Sequence, residues 1–329
     1  MNVEALFEEF TQKRILVLGD VMIDAYMRGS VTRVSPEAPV PIINLKKTED
    51  RLGGAANVAL NLLALGAEPI LCAVIGEDKG GEMFASLLQS HKLSSEGIVK
   101  SASRITTVKT RVIGNHQQLL RIDEEQTNDL TTAQENELID RVKQIIDSKI
   151  DAVIIEDYNK GLLTNRVIES VIQLANDRGV IITVDPKKDN FFSYKNVTLF
   201  KPNLKELKEG LNAQFDFAND RQSFEAAIDK LEGMLKNKIS FVTLSEHGVF
   251  IKGGEINHYI GAHHRNIADV SGAGDTVISV ATLCLTAGLD IDEIAEIANL
   301  SGGLVCEVSG VVPIDKERLK TEVLKLKTV

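Results

Sequence analysis

The 329-residue chain is poor in cysteine, with only Cys72, Cys284 and Cys306. The thiols are odd in number and far apart, no CxxC pair occurs, and each sits in an apolar stretch. Buried free thiols are expected, whereas a disulfide framework or a structural zinc site is not. Positive charge is also scarce: 37 Lys and Arg against 47 Asp and Glu give a net charge of −10. Such a surface offers no field to attract nucleic acid or an anionic membrane. A small basic pocket inside the acidic shell stays compatible with it. No long apolar run is present. The longest follows Asp275 and is broken by Thr276, Ser279, Thr282 and Thr286, short of the ~20 residues that span a bilayer. The first residues, with Glu4, Glu8 and Glu9, read as a polar helix. They lack the basic start and apolar middle of a signal peptide. A cytoplasmic protein is the expectation. The 43% of apolar residues excludes a disordered chain, and the length suffices for a substantial core in one large or two ordinary domains.

Familiar chemical motifs are missing too. The nearest approach to a P-loop spans residues 76–81, but Glu82 follows it, so no lysine reaches a phosphate there. Gly272-Ala273-Gly274 begins a dinucleotide fingerprint that Val277 breaks. No HExxH, GxSxG or HRD occurs. His263 and His264 are adjacent, and adjacent residues rarely converge on one metal, so a solvated loop is expected.

What is present is an alternation of short apolar runs with helix-spaced segments. Residues 14–18 (RILVL), 70–74, 152–155 (AVII), 180–184 (VIITV) and 241–244 read as buried strands. The spacing predicts helices over 57–65, 83–88, 134–147, 165–177, 273–287, 291–305 and 314–324. Gly66 and Gly179 stand where helices stop, and Thr164 where one starts. The alternation implies βαβ units, hence an α/β fold with a parallel sheet covered on both faces. Two segments break the rhythm. Residues 31–51 carry Pro36, Pro39 and Pro41 and alternate apolar with polar around 40–45. Residues 105–113 and 118–122 read as a hairpin about Gly114-Asn115. Such strands do not suit a buried parallel sheet. They are expected to form a small antiparallel lid, inserted at about 21–51 and 104–123 into one domain of residues 1–329. No internal repeat or linker divides the chain.

The most informative segment is Asp269-Val-Ser-Gly-Ala-Gly-Asp275, which runs directly into an apolar helix. Gly272 and Gly274 permit a tight turn with no Cβ to block a ligand. The helix that follows starts with unpaired N–H groups and the positive end of its dipole. Together these make an anion cradle. A carboxylate at its mouth repels phosphate, but it can take a proton from a hydroxyl that attacks phosphorus. A Gly-rich loop with Asp275 as a helix cap fits the same residues. Gly53-Gly54-Ala-Ala-Asn57 opens another helix. The glycines allow close approach of a ligand, and Asn57 can bond its hydroxyls or simply be solvated. Asp20 and Asp24 follow the first strand, at the sheet edge where ligands gather. Asp20 suits sugar hydroxyls there, or a plain turn.

In this order GDVMID (19–24), GGAANVA (53–59), NLKE (203–206) and DVSGAGDT (269–276) resemble the ribokinase-like, or PfkB, carbohydrate kinase family. The resemblance spans almost the whole chain. It implies a three-layer α/β/α fold with a β lid over the sugar, and ATP-dependent phosphorylation of a sugar or similar alcohol. By that resemblance Asp275 is the general base, and the amides of Gly272, Ala273 and Gly274 form the anion hole. Asn203 and Glu206 act around the triphosphate and Mg²⁺, with Glu206 reaching the metal through water. Asn299 and the stretch near Ser245 and Gly248 lie beside the adenine. Asp269 marks the monovalent-cation site of many members, with K⁺ as its ion. A homodimer through the lid is also implied.

Further stretches, SPEAPVP (35–41), TVKTRVIGNHQQLLRID (107–123), DYNKG (157–161) and DPK (185–187), are similar to one branch of that family. It comprises the D-glycero-β-D-manno-heptose 7-phosphate kinases, including the kinase half of bifunctional ADP-heptose synthesis enzymes. The second half of those enzymes carries an HxGH motif. None occurs here, so a stand-alone kinase is expected. The branch implies transfer to O1 of the heptose phosphate, for lipopolysaccharide or related glycans. A substrate that already bears a phosphate needs cations. Lys109, Arg111 and Arg121 fall on the lid hairpin, and Lys160 and Lys187 follow strand ends. Arginine suits bidentate phosphate contact. Arg111, Lys160 and Lys187 are the leading candidates, with Asp185 beside them. Gln117 and Gln118 suit sugar hydroxyls or an outward lid face. Three other readings remain: a family kinase for another sugar, sugar phosphate or nucleoside; a non-catalytic sugar- or nucleotide-binding protein on the same fold; and a structural protein whose DVSGAGD is only a turn and cap.

Overall fold

The structure, a computed structural model, describes residues 2–217, 219–263 and 265–326. In chain order, α1 (Val3–Phe10) and β1 (Arg14–Gly19) precede the lid strands β2 (Val21–Val34) and β3 (Pro41–Gly54). Then come α2 (Ala55–Leu65), β4 (Glu68–Gly76), α3 (Lys79–Ser90) and β5 (Ile98–Ser101). A second lid pair, β6 (Thr107–Gly114) and β7 (Gln117–Glu124), leads into α4 (Thr132–Asp147), β8 (Ala152–Glu156), α5 (Asn165–Asn176), β9 (Ile181–Asp185) and β10 (Leu199–Phe200). The remainder holds α6 (Leu204–Leu211), α7 (Arg221–Leu235), β11 (Ile239–Thr243), β12 (Val249–Gly253), β13 (Ile256–Ile260), α8 (Ala273–Thr286), α9 (Ile291–Val305) and α10 (Lys316–Leu326).

The large sheet has the order β13-β12-β11-β10-β9-β8-β1-β4-β5. Neighbours from β5 to β11 are parallel, and β12 and β13 extend the sheet antiparallel. Composition explains the interior. All five residues of β8 (AVIIE) are buried, as are all but the first of β1 and β9. Strands apolar on both faces need helices above and below. Helices α2, α8 and α9 pack together as one layer, and α4 and α5 pack as another. In α5 the stripe Val167, Ile168, Val171 and Ile172 turns inward, and Thr164 caps the helix by accepting from the Val167 N–H. Each such side chain, fully buried, contributes about 1.5–3 kcal/mol.

Several expectations need correction. The first helix is amphipathic, not polar, because Val3, Leu6, Phe7 and Phe10 are buried. Elements β5, β10, β12, β13, α6 and α7 add to those the spacing predicts. The lid, of order β3-β2-β6-β7, is not wholly antiparallel: its central pair β2–β6 is parallel. The chain leaves the lid through β3, passes α2, β4, α3 and β5, and re-enters in the direction of β2. The hairpin turns at Asn115-His116, both at positive φ (52° and 69°), rather than at Gly114-Asn115. A left-handed pair matches strand twist, and the Asn115 amide braces the turn against the Val31 backbone. The three cysteines are free and buried. His264 of the adjacent histidine pair lies outside the described residues. No helix among the described residues is long and apolar enough to cross a membrane.

Candidate active site

The carboxyl ends of the parallel strands converge. Strand register sets Gly19 opposite Glu156 and Glu156 opposite Asp185. Lys201, just past β10, is anchored by its N–H to the Val184 carbonyl at 2.8 Å. Asp275, in the first turn of α8, completes the group. Carboxylate oxygens of Glu156, Asp185 and Asp275 lie within 4.8 Å of one another, and all three residues are buried. Like charges this close cannot all be ionised without help. Burial, reinforced by Asp185 and Asp275, pushes Glu156 well above the usual carboxylate range. Both Glu156 oxygens lack a hydrogen-bond partner. The compensating cation is Lys201, 2% exposed, with its Nζ 2.7 Å from Asp185 Oδ2. Burial opposes its charge, but Asp185, Glu206 and Glu156 together raise its pKa.

Asp275 is held at both oxygens. Asn57 Nδ2 donates to Oδ2 at 2.7 Å, and the Tyr158 hydroxyl donates to Oδ1 at 2.9 Å. Burial raises its pKa, while the Asn57 and Tyr158 hydrogen bonds oppose the rise. Gly272 enters α8 at φ +81°, and a Cβ there would lie 2.9 Å from Asn57 Nδ2. A side chain at 272 would therefore dislodge a residue that orients Asp275. A Cβ on Gly274 would lie 3.4 Å from Asp185 Oδ2. The glycines thus keep α8 close to the carboxylates. Of the three amides expected in an anion hole, that of Ala273 already donates to the Val270 carbonyl at 3.3 Å.

Lys187 and Glu206 form a bridge at 2.5 Å beside this cluster, and Lys187 Nζ lies 5.4 Å from the centre of the Tyr158 ring. Asn203 caps α6 in a reciprocal capping box: its Oδ1 accepts from the Glu206 N–H, and Glu206 Oε2 accepts from the Asn203 N–H. The NLKE stretch is thereby a helix start as well as a candidate nucleotide contact. Glu206, expected to reach Mg²⁺ through water, has its oxygens engaged by Lys187 and Asn203.

Other candidates fall elsewhere. Asp20 is buried and accepts the backbone N–H groups of Tyr158, Lys160 and Leu162, so it shapes the loop that carries Tyr158. Burial, aided by the Asp157 charge, pushes its pKa up to about 6. Gly53 packs on Asp24, and Gly54 turns into α2 at φ +62°. Lys160 pairs with Glu125 at 2.8 Å, and Arg111 pairs with Asp24 at 2.6 Å. Lys109 and Arg121 both meet Asp123. Gln118 is exposed on β7. Asp269 accepts the N–H groups of Ser271 and Gly310, which outweigh burial and lower its pKa. Asn299 donates to the Gly261 carbonyl at 2.8 Å, and Ser245 begins a short 3₁₀ turn that Gly248 follows, both at positive φ. Sequence reasoning gave no role to Tyr158, Lys201 or Glu156. A lone lysine and a lone glutamate ending apolar runs are the only signals that mark the last two.

Known proteins resemble this chain over almost its whole length. The pfkB family carbohydrate kinase profile matches residues 12–317. Among curated relatives, the bifunctional protein HldE of Methylobacillus flagellatus is 37% identical over 308 residues, 94% of this chain and 62% of that protein. The HldE of Desulfatibacillum aliphaticivorans is 38% identical over 314 residues, 95% of this chain and 63% of its own. The chain thus spans about three fifths of the length of these relatives. Phosphofructokinase-2 from Escherichia coli in complex with potassium superposes with a TM-score of 0.78 at 19% identity, covering 96% of this chain and 99% of that one. Arabidopsis thaliana ribokinase complexed with ribose and ATP gives 0.71 at 17% identity, over 96% and 99%. These two share the three-layer fold. With the profile covering nearly the full length and relatives above 30% identity, the chain belongs to the pfkB family of carbohydrate kinases.

Proposed function

We propose that the chain transfers the γ-phosphoryl group of ATP to O1 of D-glycero-β-D-manno-heptose 7-phosphate, giving the 1,7-bisphosphate. The observation that carries the kinase reading is the buried Asp275 at the start of α8, oriented at both oxygens by Asn57 and Tyr158. The heptose reading rests on the likeness of residues 107–123, 157–161 and 185–187 to heptose 7-phosphate kinases, and on the HldE relatives.

Asp275 takes the proton of the attacking hydroxyl. The oxygen so freed bonds to the γ-phosphorus as the bond to the ADP oxygen breaks, in line. First-turn N–H groups of α8 and the Lys187 and Lys201 ammonium groups stabilise charge on the transferring group. Mg²⁺ is the metal this reading implies, and hard oxygen donors suit it. Glu156, with two unpartnered buried oxygens, and Asp185 supply such donors. Bound there, Mg²⁺ would neutralise phosphate charge. K⁺ enters the proposal at the Asp269 loop. Closure of the lid keeps water from competing for the phosphoryl group.

A cytoplasmic homodimer joined through the lids goes with this reading, since Met27, Val34, Leu45, Leu120 and Ile122 leave apolar surface exposed there. Sedimentation that finds only monomers would remove that part.

The deciding experiment is ADP release over a panel of sugars and sugar phosphates that includes heptose 7-phosphate. Preference for another substrate replaces the heptose reading. Absence of turnover with every member points to a binding protein. Asp275→Asn should lower turnover by a large factor while ATP still protects against thermal unfolding, and full activity in that variant would refute Asp275 as base.

A further inference from the structure

The lid carries a second concentration of charge outside the carboxylate cluster. Along β2 the side chains of Asp24, Tyr26 and Arg28 share a face by alternation. Tyr26 stands opposite Arg111 on β6 and Glu49 on β3, and Arg51 stands opposite Asp24. The guanidinium carbons of Arg28, Arg51 and Arg111 lie 5.2, 5.4 and 5.4 Å from the centre of the Tyr26 ring. Three guanidinium groups thus surround one buried ring. Arg111 is paired with Asp24, and Arg51 with Glu49. Among the described residues Arg28 has no ion-pair partner. Arg28 is thus the one guanidinium of the collar without a paired carboxylate among the described residues.

The collar faces the cleft. Arg51 Nη1 donates to the Val311 carbonyl at 2.9 Å. A Cβ on Gly310 would lie 2.9 Å from Arg51 Nη1 and 3.7 Å from the Tyr26 hydroxyl. Val311 in turn packs over Gly272, with its Cγ1 3.4 Å from where a Cβ would stand. The collar and the head of α8 are thus joined through two residues, Gly310 and Val311. Lys160 and Lys187 meet this need less well: one is closed off by Glu125, and the other belongs to the carboxylate cluster.

We infer that Arg28, Arg51 and Arg111, arranged around Tyr26, form the subsite for a phosphate monoester on the acceptor, at the end remote from the hydroxyl that Asp275 deprotonates. A phosphate dianion presents three acceptor oxygens, and guanidinium forks bind it bidentately. The aromatic face holds the guanidinium planes in place before the ligand arrives. Asp24 and Glu49 keep the paired arginines oriented, and the phosphate competes for their free N–H groups. This inference rests on the reading of the chain as a sugar-phosphate kinase, and the site explains how an acidic protein selects an acidic acceptor.

The test compares ADP release with heptose 7-phosphate and with the unphosphorylated heptose. The ratio of the two kcat/KM values should fall roughly tenfold in Arg28→Gln and at least a hundredfold in the triple Arg28→Gln, Arg51→Gln, Arg111→Gln variant. Arg33→Gln, an exposed arginine further along β2, should leave the ratio at its wild-type value. Equal losses on both sugars, or a loss confined to KM for ATP, would overturn the inference. A second measurement does not depend on turnover: inorganic phosphate and heptose 7-phosphate should each raise the Tm of the wild type more than that of the triple variant. Equal shifts in both proteins would overturn the inference even where the wild type phosphorylates heptose 7-phosphate. A wild type protected by phosphate but inactive on every sugar phosphate would overturn the kinase reading and leave the anion subsite supported.

Discussion

The hydroxyl of Tyr158 offers a direct probe of the proposed base. It donates to Asp275 Oδ1 at 2.9 Å inside a buried site, while Asn57 holds the other oxygen at 2.7 Å. Burial raises the Asp275 pKa, and these two donors limit the rise. Tyr158→Phe removes one donor and keeps the ring against Lys187. A hydrogen bond to a charged acceptor contributes about 1.5–3 kcal/mol. Its loss makes Asp275 harder to ionise, each 1.4 kcal/mol being worth about tenfold in the fraction deprotonated. A base works only when deprotonated. Activity therefore rises with pH through its pKa, and the acid limb of the profile should move upward. In pH profiles of kcat/KM for ADP release, which report the free enzyme, Tyr158→Phe should lose roughly ten- to a hundredfold on the acid limb and much less on the plateau. An acid limb that stays in place, or moves downward, would refute the claim that Tyr158 tunes Asp275. A purely structural loss would lower the whole profile alike.

Three further outcomes follow from the same geometry. Lys201→Met leaves the buried Glu156, Asp185 and Asp275 without their counter-ion, which should cost about 3–5 kcal/mol of stability at neutral pH in urea unfolding. The deficit should shrink as the pH is lowered and carboxylates protonate, and a loss independent of pH would count against the cluster. Asp20 has a folded pKa of about 6 against an ordinary 3.8. Its contribution to stability is full below 3.8 and is lost as pH rises through 6, a change of roughly 3 kcal/mol that Asp20→Asn should abolish. Parallel stability curves for variant and wild type over that interval would refute it. Gly272→Ala forces a Cβ into the left-handed region and against Asn57 Nδ2. It should cost about 1–3 kcal/mol in thermal denaturation and lower kcat through the displaced Asn57. A variant of full stability and activity would show that the loop relaxes freely.

The sequence by itself determined the α/β class and the rank of the parallel strands. Runs such as RILVL and AVII have no polar face, and only a sheet covered on both sides buries them. It also determined the head of α8, because DVSGAGD joins glycines, a helix start and an acid within seven residues, and all three effects are local. The role of Asn57 at Asp275 was legible only as a residue type, since its partner lies 218 positions away. What the tertiary structure decided concerns charges brought together from different strand ends. Glu156, Asp185 and Lys201 are ordinary one at a time, and Tyr158 is one of four tyrosines. Burial and strand register bring them together as a single electrostatic unit beside Asp275. The same applies to the lid. The pairing of β2 with β3 and with β6 decided that Arg28, Arg51 and Arg111 meet at Tyr26. Long-range strand pairing placed the lid arginines, because attraction between charges falls with distance in space and is indifferent to distance along the chain.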